Sequence, residues 1–399
     1  METLFGVTRD LFEKSLSSLL SMEKKAYEHS FSLYEKSPLP TLKEENWKYT
    51  NPSLLDVSLD IAPSTDRAMN YWTVTPNGSL KKIQSYPFQS CFLSKGKPSA
   101  DVKFSSLFSA MPHEKHIIVV PKGLKVRGTV DLQIPAKAKY AYFVETYLLI
   151  EEGAEVVVRE SFPESSLPSF VGRNCFLYIE EGAHVTLLSL QRPGTTQTMS
   201  FYTSILKDNG VMTSWFGQFG TLFSRIQSDV YLAGRGSEAH VYGTHMGWGT
   251  SHHDFLVLLD HQVGNTLANT LMHGVNTDTA RSVFHGMIKI EKGANQVNSY
   301  LSDHSLLLSD AAKADSIPSL EIESHDVRAS HGATVGQVDE QQIFYAMTRG
   351  LSRKEAEHLI VEGFFDTVIS LLPECGIREE VSQIVSAQMR GKHEEKIST

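Results

Sequence analysis

Cysteine is scarce: Cys91, Cys175 and Cys375 are the three in 399 residues. They are far apart and odd in number, with no C-x-x-C pair. That excludes a disulfide scaffold and the usual zinc and redox motifs, and points to a reducing compartment. Long apolar runs are missing too. The longest, such as Phe255-Leu256-Val257-Leu258-Leu259, are strand-sized, too short to span a membrane as a helix. The N-terminus mixes charges of both signs around short apolar pieces, unlike a secretory signal, so the expected location is the cytoplasm. There is no basic excess: 37 Lys plus Arg stand against 46 Asp plus Glu, a formal charge of −9. Nucleic acid is therefore not an expected partner, because a basic face is needed to displace phosphate counterions. The sequence has no G-x-x-x-x-G-K-[ST] loop, G-x-S-x-G elbow, H-E-x-x-H pair or EF-hand loop. A P-loop nucleotide site and the common hydrolytic and metal-dependent chemistries thus lack their motifs.

What is present is a globular composition, 41% hydrophobic and 21% charged, organised as a repeat. Short apolar strands lead to glycines at 123, 153, 182, 210, 236, 264 and 293, with successive intervals of 30, 29, 28, 26, 28 and 29. Each unit reads as a strand, a tight turn at the glycine, and a second strand that partly alternates, as in Val156 and Val158 or Val185 and Leu187. A fixed period in this range signals a solenoid or a propeller, and a propeller blade needs about 40–45 residues. Leucine-rich repeats have the right period, but their consensus is absent. The pattern predicts a mainly β protein, a right-handed parallel β-helix, with coils stacking to bury their inward side chains. Three regions follow: a helical and mixed region at 1–115, the β-helix at 116–335, and a helical domain at 336–399.

The flanks show helical spacing. Leu11, Phe12, Leu16, Leu19, Leu20 and Tyr27 precede Pro38 and Pro40, where a helix must stop. Residues 51–115 give no firm pattern. After the repeat, Asp339 and Gln342 have capping-box spacing, Ile343, Phe344 and Met347 form an apolar face, and Gly350 sits at a C′ position. Ser352 and Glu355 open a second helix whose apolar residues are Ala356, Leu359, Ile360, Phe364, Val368 and Leu371. A third carries Ile377, Val381, Ile384 and Val385. These stripes suit helices that cap the open end of the solenoid.

Histidine is the unusual residue: ten of the 16 fall from His240 to His331. His245 and His273 each lie nine residues past a coil glycine, a phase that would stack them. Imidazole suits zinc and iron, yet polar residues also stack at coil corners by bonding to backbone. His331 stands apart, in the polar segment Ser324-His325-Asp326-Val327-Arg328-Ala329-Ser330-His331-Gly332-Ala333 between the last coil and the helices.

That segment, with Pro318-Ser319-Leu320-Glu321-Ile322 before it and Phe344-Tyr345, Arg349-Gly350-Leu351 and Glu355-Ala356 after it, resembles the SufB/SufD family. Phe284-His285-Gly286-Met287-Ile288 is similar to the family's F-x-G-x-I strand, and Trp47-Lys48-Tyr49-Thr50 is like the SufD side. The resemblance implies a non-catalytic scaffold subunit of a SufBCD iron–sulfur cluster assembly complex. It implies pairing with a SufB-like subunit through the β-helix, or with a second copy of itself when alone. It also implies docking of a SufC-like ABC ATPase on the C-terminal helices, with Arg349, Arg353, Lys354 and Glu357 as partner-binding candidates. The ATPase chemistry would belong to that partner. His331 matches the family's histidine and becomes the candidate iron–sulfur ligand, shared with the partner. The family's cysteine position is Ala329 here, so the isolated chain is expected to hold no cluster stably, and one would form transiently at the SufB interface. Cluster iron is usually held by thiolates, although imidazole also serves. The rival readings are a SufB-like primary scaffold, a spacer that binds no iron, and a β-helix enzyme acting on polysaccharide or acyl substrates through His240, His245, His252, His253 and Asp254.

Overall fold

The computed structural model describes residues 4–16, 21–62, 69–84, 101–162, 167–219, 222–373 and 376–391. Helices α1 (Arg9–Ser15) and α2 (Ser21–Lys36) come first, followed by strands β1 (Asp60–Ile61), β2 (Met69–Val74) and β3 (Leu80–Ile83), then helix α3 (Val102–Ala110). The coils begin with β4 (Glu114–Val120) and β5 (Lys125–Gln133), β6 (Tyr140–Ile150) and β7 (Glu155–Phe162), β8 (Ser169–Ile179) and β9 (His184–Gln191). They continue with β10 (Thr196–Leu206) and β11 (Val211–Phe219), β12 (Phe223–Leu232) and β13 (Glu238–Gly247), β14 (His252–His261) and β15 (Leu267–Asn276). The last are β16 (Arg281–Ile290) and β17 (Val297–Leu307), β18 (Lys313–Ile322) and β19 (Val327–Gln337). Three helices close the chain: α4 (Glu340–Thr348), α5 (Arg353–Ile369) and α6 (Ile377–Gly391).

From β4 onward the even strands pair in parallel into one sheet and the odd strands into another, so the chain winds as a parallel β-solenoid. Side chains alternate across each strand, and strict register turns that alternation into rows. Val156, Val185, Met212, Ala239 and Ala268 form one such row inside the second sheet. It joins a continuous apolar interior with Leu148, Leu177, Ile226, Phe255, Phe284 and Leu301. Burying a Val, Leu or Phe side chain contributes about 1.5–3 kcal/mol, so the stacked rows bind each coil to the next.

The turn glycines hold at Gly123, Gly153, Gly182, Gly236 and Gly293, all with positive φ. At 210 and 264 the left-handed residue is instead the adjacent asparagine, Asn209 (φ 54°) and Asn265 (φ 58°), since Asn tolerates that region. Gly264 serves space: a Cβ there would lie 2.4 Å from the Asn295 carbonyl. Residues 51–115, which showed no firm pattern, supply β1 to β3, which join the first sheet through long-range pairings with β4 and β6. They also supply the whole of α3. Helices α1 to α3 cover the outer face of the first sheet, where Phe5, Phe12, Phe31 and Phe108 pack on Phe143, Phe170 and Phe201.

The C-terminal helices do not cap the solenoid. Val361, Phe365, Val368 and Ile369 of α5, with Ile377, Val381 and Val385 of α6, pack on Leu188, Leu190, Trp215, Phe219, Met246 and Val275 on the outer face of the second sheet. Both faces of that sheet are therefore apolar, and the helices cover the outer one. The expected stripe also shifts. Ser352 and Glu355 form a full capping box, but Leu359 and Leu371 face solvent while Val361 and Phe365 are buried.

Candidate functional site

A solenoid strand is covered by the next coil, and the last coil has no next coil. Strands β18 and β19 end their sheets, and among the described residues each has one row of backbone groups with no neighbouring strand. Leu320, Ile322 and Val335 are exposed on these two strands, and Tyr300 on β17 below them. An edge of this length and apolar content invites pairing with another chain.

His331 sits on this end. Leu301, fully buried in the interior, is its register partner. The row of Leu301 therefore continues as His331, which points toward the solenoid interior yet is exposed because its coil is last. Ala329 lies opposite Ser299 and packs against the interior cluster, and Ala333 lies opposite Asp303. The motif thus presents a small residue on each side of the imidazole. On the outward side, His304 Nδ1 meets Thr334 Oγ1 at 2.6 Å and its Nε2 meets Ser302 Oγ at 2.8 Å.

The other histidines separate by register. Thr244 pairs with His273 and His245 with Gly274, so the expected stack of His245 on His273 does not form. A one-residue offset sends the two rings to opposite faces. His245 points inward, 5.8 Å from the ring of His253. His273 points outward, stacks 4.2 Å from Phe364 and bonds through Nδ1 to the Phe364 carbonyl at 2.7 Å, seating α5. Burial lowers both to about 4, so both are neutral near pH 7. His252 and Asp254 face the N-terminal region, where Thr50 donates to Asp254 at 2.7 Å and meets His252 Nε2 at 3.0 Å. The Trp47-Lys48-Tyr49-Thr50 element is a fastening. Trp47 Nε1 donates to Asp101 at 3.0 Å, and the Arg225 guanidinium lies 4.1 Å over the Trp47 ring while pairing with Asp254 and Asp101.

The partner-binding candidates fall in the α4–α5 elbow, not beside His331. Arg349 donates to the Tyr345 hydroxyl at 3.0 Å. Arg353 bonds Glu357 at 3.0 Å and Glu340 across the elbow. These groups brace the elbow. Lys354 is exposed on the first turn of α5. The elbow's exposed surface is apolar: Phe344, Tyr345, Met347 and Leu359 all face out, and Glu340, Gln341, Phe344, Tyr345 and Thr348 line a shallow groove. Sequence periodicity assigned Phe344 and Met347 to a buried face. A helix apolar on both sides hides which side is covered.

Among the described residues no three His, Cys, Asp or Glu side chains converge as a metal site. Cys175 is buried inside the solenoid with its thiol pushed up by burial. Cys91 and Cys375 lie outside the described residues, as do Leu19 and Leu20. No helix among the described residues is long and apolar enough to cross a membrane.

A parallel β-solenoid with helices packed on both outer walls and two strand edges at its last coil defines the class of fold. Comparison with known proteins agrees. The family model described as SUF system FeS cluster assembly, SufBD core domain, matches residues 134–364. The iron–sulfur cluster assembly protein SufD of Bacillus subtilis is 25% identical over 75% of this chain and 70% of its own length. The SufD protein of Escherichia coli is 25% identical over 88% of this chain and 90% of its own length. A SufBD family protein of Staphylococcus saprophyticus is 25% identical over 74% of this chain and 64% of its own length.

The chain belongs to the SufB/SufD family of iron–sulfur cluster assembly proteins, and within it is most like SufD. The polysaccharide and acyl reading has no support from these findings.

Proposed function

We propose that the chain is the SufD-like, non-catalytic subunit of a SufBCD complex. It pairs with a SufB-like subunit through β18 and β19 and docks a SufC-like ATPase on the α4–α5 elbow. The observation that carries this reading is the bare end of the solenoid, where an interior row ends in an exposed His331. A partner strand added to each edge would continue both sheets, bury Leu320, Ile322 and Val335, and enclose the imidazole. The exposed Phe344, Tyr345, Met347 and Leu359 suit a protein docking face, where aromatic residues commonly anchor binding. In this reading the braced charges Arg349, Arg353 and Glu357 hold the elbow's shape, and Lys354 lies at its edge. The cluster is cargo formed at the SufB interface, with His331 as this chain's ligand. ATP-driven movement of the docked ATPase would be transmitted through α5 to the second sheet. The test is co-purification with SufB-like and SufC-like partners, comparing the wild type, Leu320→Asp and Phe344→Ala. Leu320→Asp should lose the SufB-like partner and keep the ATPase, and Phe344→Ala should do the reverse. Loss of both partners from either variant, with the fold intact, contradicts the two-surface reading.

A further inference from the structure

Helices α5 and α6 meet along an apolar seam, and a small polar knot closes one rim of it. Val361, Phe365 and Val368 of α5 and Val381 and Val385 of α6 are buried in the seam. His358 and Glu362 lie one turn apart on α5, and Ser382 and Ser386 one turn apart on α6. Residues four apart project from the same helix face, so each helix presents a pair, and the two pairs meet. His358 Nε2 lies 3.1 Å from Ser386 Oγ and 3.3 Å from Glu362 Oε1. Ser382 and Ser386 each donate from Oγ to that same Oε1 at 3.2 Å.

The spacing is the anomaly. A hydroxyl bonded to a carboxylate ordinarily closes to about 2.5–2.7 Å, and an imidazolium to about 2.7–2.9 Å. All three contacts to Oε1 are wider than that. Nε2, Oε1 and Ser386 Oγ instead form a near-equilateral triangle with sides of 3.1, 3.2 and 3.3 Å. Nitrogen and oxygen ligands held about 2.0–2.2 Å from a tetrahedral zinc ion stand about 3.3–3.6 Å apart. An ion about 1 Å above the plane of this triangle would reach all three atoms at that length. The His358 and Glu362 side chains are 29% and 37% exposed, which leaves an entry path and room for water at a fourth position. One imidazole, one carboxylate and one hydroxyl make a borderline donor set. It suits an ion of the zinc class better than magnesium, which prefers oxygen ligands alone.

We propose that His358, Glu362 and Ser386 form a site for a single divalent ion of the zinc class on the α5–α6 seam, with water as the fourth ligand. His358 binds through the Nε2 lone pair, with its proton on Nδ1. Ser382 orients the carboxylate from outside the ligand shell. The ion ties α6 to the helix that carries Leu359 of the elbow surface. Only two of these four side chains belong to the strong ligand types, so His358 and Glu362 carry most of the affinity. The site is independent of the pairing edge and of the assembly reading.

The test uses the full chain, freed of metal by a chelator, with zinc alone as the probe. Zinc is titrated in competition with a chromophoric chelator, and the bound ion is read by X-ray absorption. Wild type should bind one zinc ion with nitrogen and oxygen neighbours at about 2.0–2.2 Å. It should melt at a higher temperature with zinc, as a protein does when a ligand binds only its folded state. Excess magnesium should not displace the zinc. His358→Ala and Glu362→Gln should each weaken binding about tenfold or more and lose the melting shift, while Ser386→Ala should weaken it less. Glu362→Gln keeps an oxygen for both serines, and its circular dichroism shows whether the helices are retained. His331→Ala, which removes the exposed histidine at the open end, should bind zinc as wild type does. Unchanged zinc affinity in His358→Ala and Glu362→Gln overturns the proposal, and so does a loss confined to His331→Ala. A wild type that binds no zinc overturns it as well, and leaves the family assignment and the assembly reading untouched.

Discussion

Arg225→Met should be among the most damaging single substitutions in the first sheet. Arg225 has no exposed side-chain surface, and neither does its partner Asp254. Its Nε lies 3.2 Å from Asp101, its Nη2 donates to the Asn46 carbonyl at 3.0 Å, and its guanidinium covers Trp47. One cation thus serves two buried carboxylates and holds the Trp47 element onto β12. Removing one partner of a buried pair costs about 3–5 kcal/mol, because the remaining charge stays desolvated. Two carboxylates remain here, so the upper half of that range is expected, with about 1 kcal/mol more for the lost cation–π contact. That is a large part of a typical stability of about 5–15 kcal/mol. Asp254→Asn should cost less, because Arg225 keeps Asp101. Combining Arg225→Met with Asp254→Asn and Asp101→Asn should recover much of the loss, since no unpaired charge would then be buried. Urea denaturation gives the stabilities, and limited proteolysis shows whether the N-terminal region detaches first. An Arg225→Met protein within about 1 kcal/mol of wild type would refute the reasoning.

Three further predictions concern pH, packing and docking. Burial lowers His245, His252, His261 and His273 to about 4. Their stabilising contribution is complete above pH 6.5 and is lost as pH falls toward 4. Asp229, raised to about 6, and Asp303, raised to about 7, work in the opposite direction. The depressed histidines outnumber the raised carboxyls, so stability should fall on acidification from pH 6.5; a flat urea midpoint from pH 6.5 to 4.5 would contradict this. Gly274→Ala should cost about 1–3 kcal/mol, because its Cβ would lie 2.0 Å from Cε1 of His245. The added variant His245→Ala should restore part of that by opening the space, as differential scanning calorimetry would show. Phe344→Ala with Tyr345→Ala should leave stability within about 0.5 kcal/mol, as exposed substitutions do, yet weaken ATPase binding by tenfold or more in a calorimetric titration.

Much of the solenoid was legible because its cause is local. The coil turns from β4 to β17 each hold a residue at positive φ, and Gly or Asn next to a short apolar strand marks it. Residues 51–115 were not legible because β1 and β2 take their meaning from partners on β6 and β4 far along the chain. The histidine phase failed for a related reason. Equal distance from a glycine does not fix register when the turn residue shifts between Gly236 and Asn265, and one residue is enough to reverse a face. Helix α5 misled because Leu359 and Phe365 are equally apolar, while only one of the two has a wall to meet. His331 was visible through its motif, whereas Asp303 gave no signal. Its burial comes from the coil stack, and no local pattern distinguishes a carboxylate facing the lumen from one facing water.

The proposed pairing surface for a SufB-like subunit is the open end of the solenoid. Its most direct test is the affinity of the purified chain for that subunit, for wild type beside Leu320→Asp with Val335→Asp. Wild type should bind tightly and one-to-one, and the variant should bind at least a hundredfold more weakly while melting alone at an unchanged temperature. Equal binding by the two proteins would place the interface elsewhere and contradict the account.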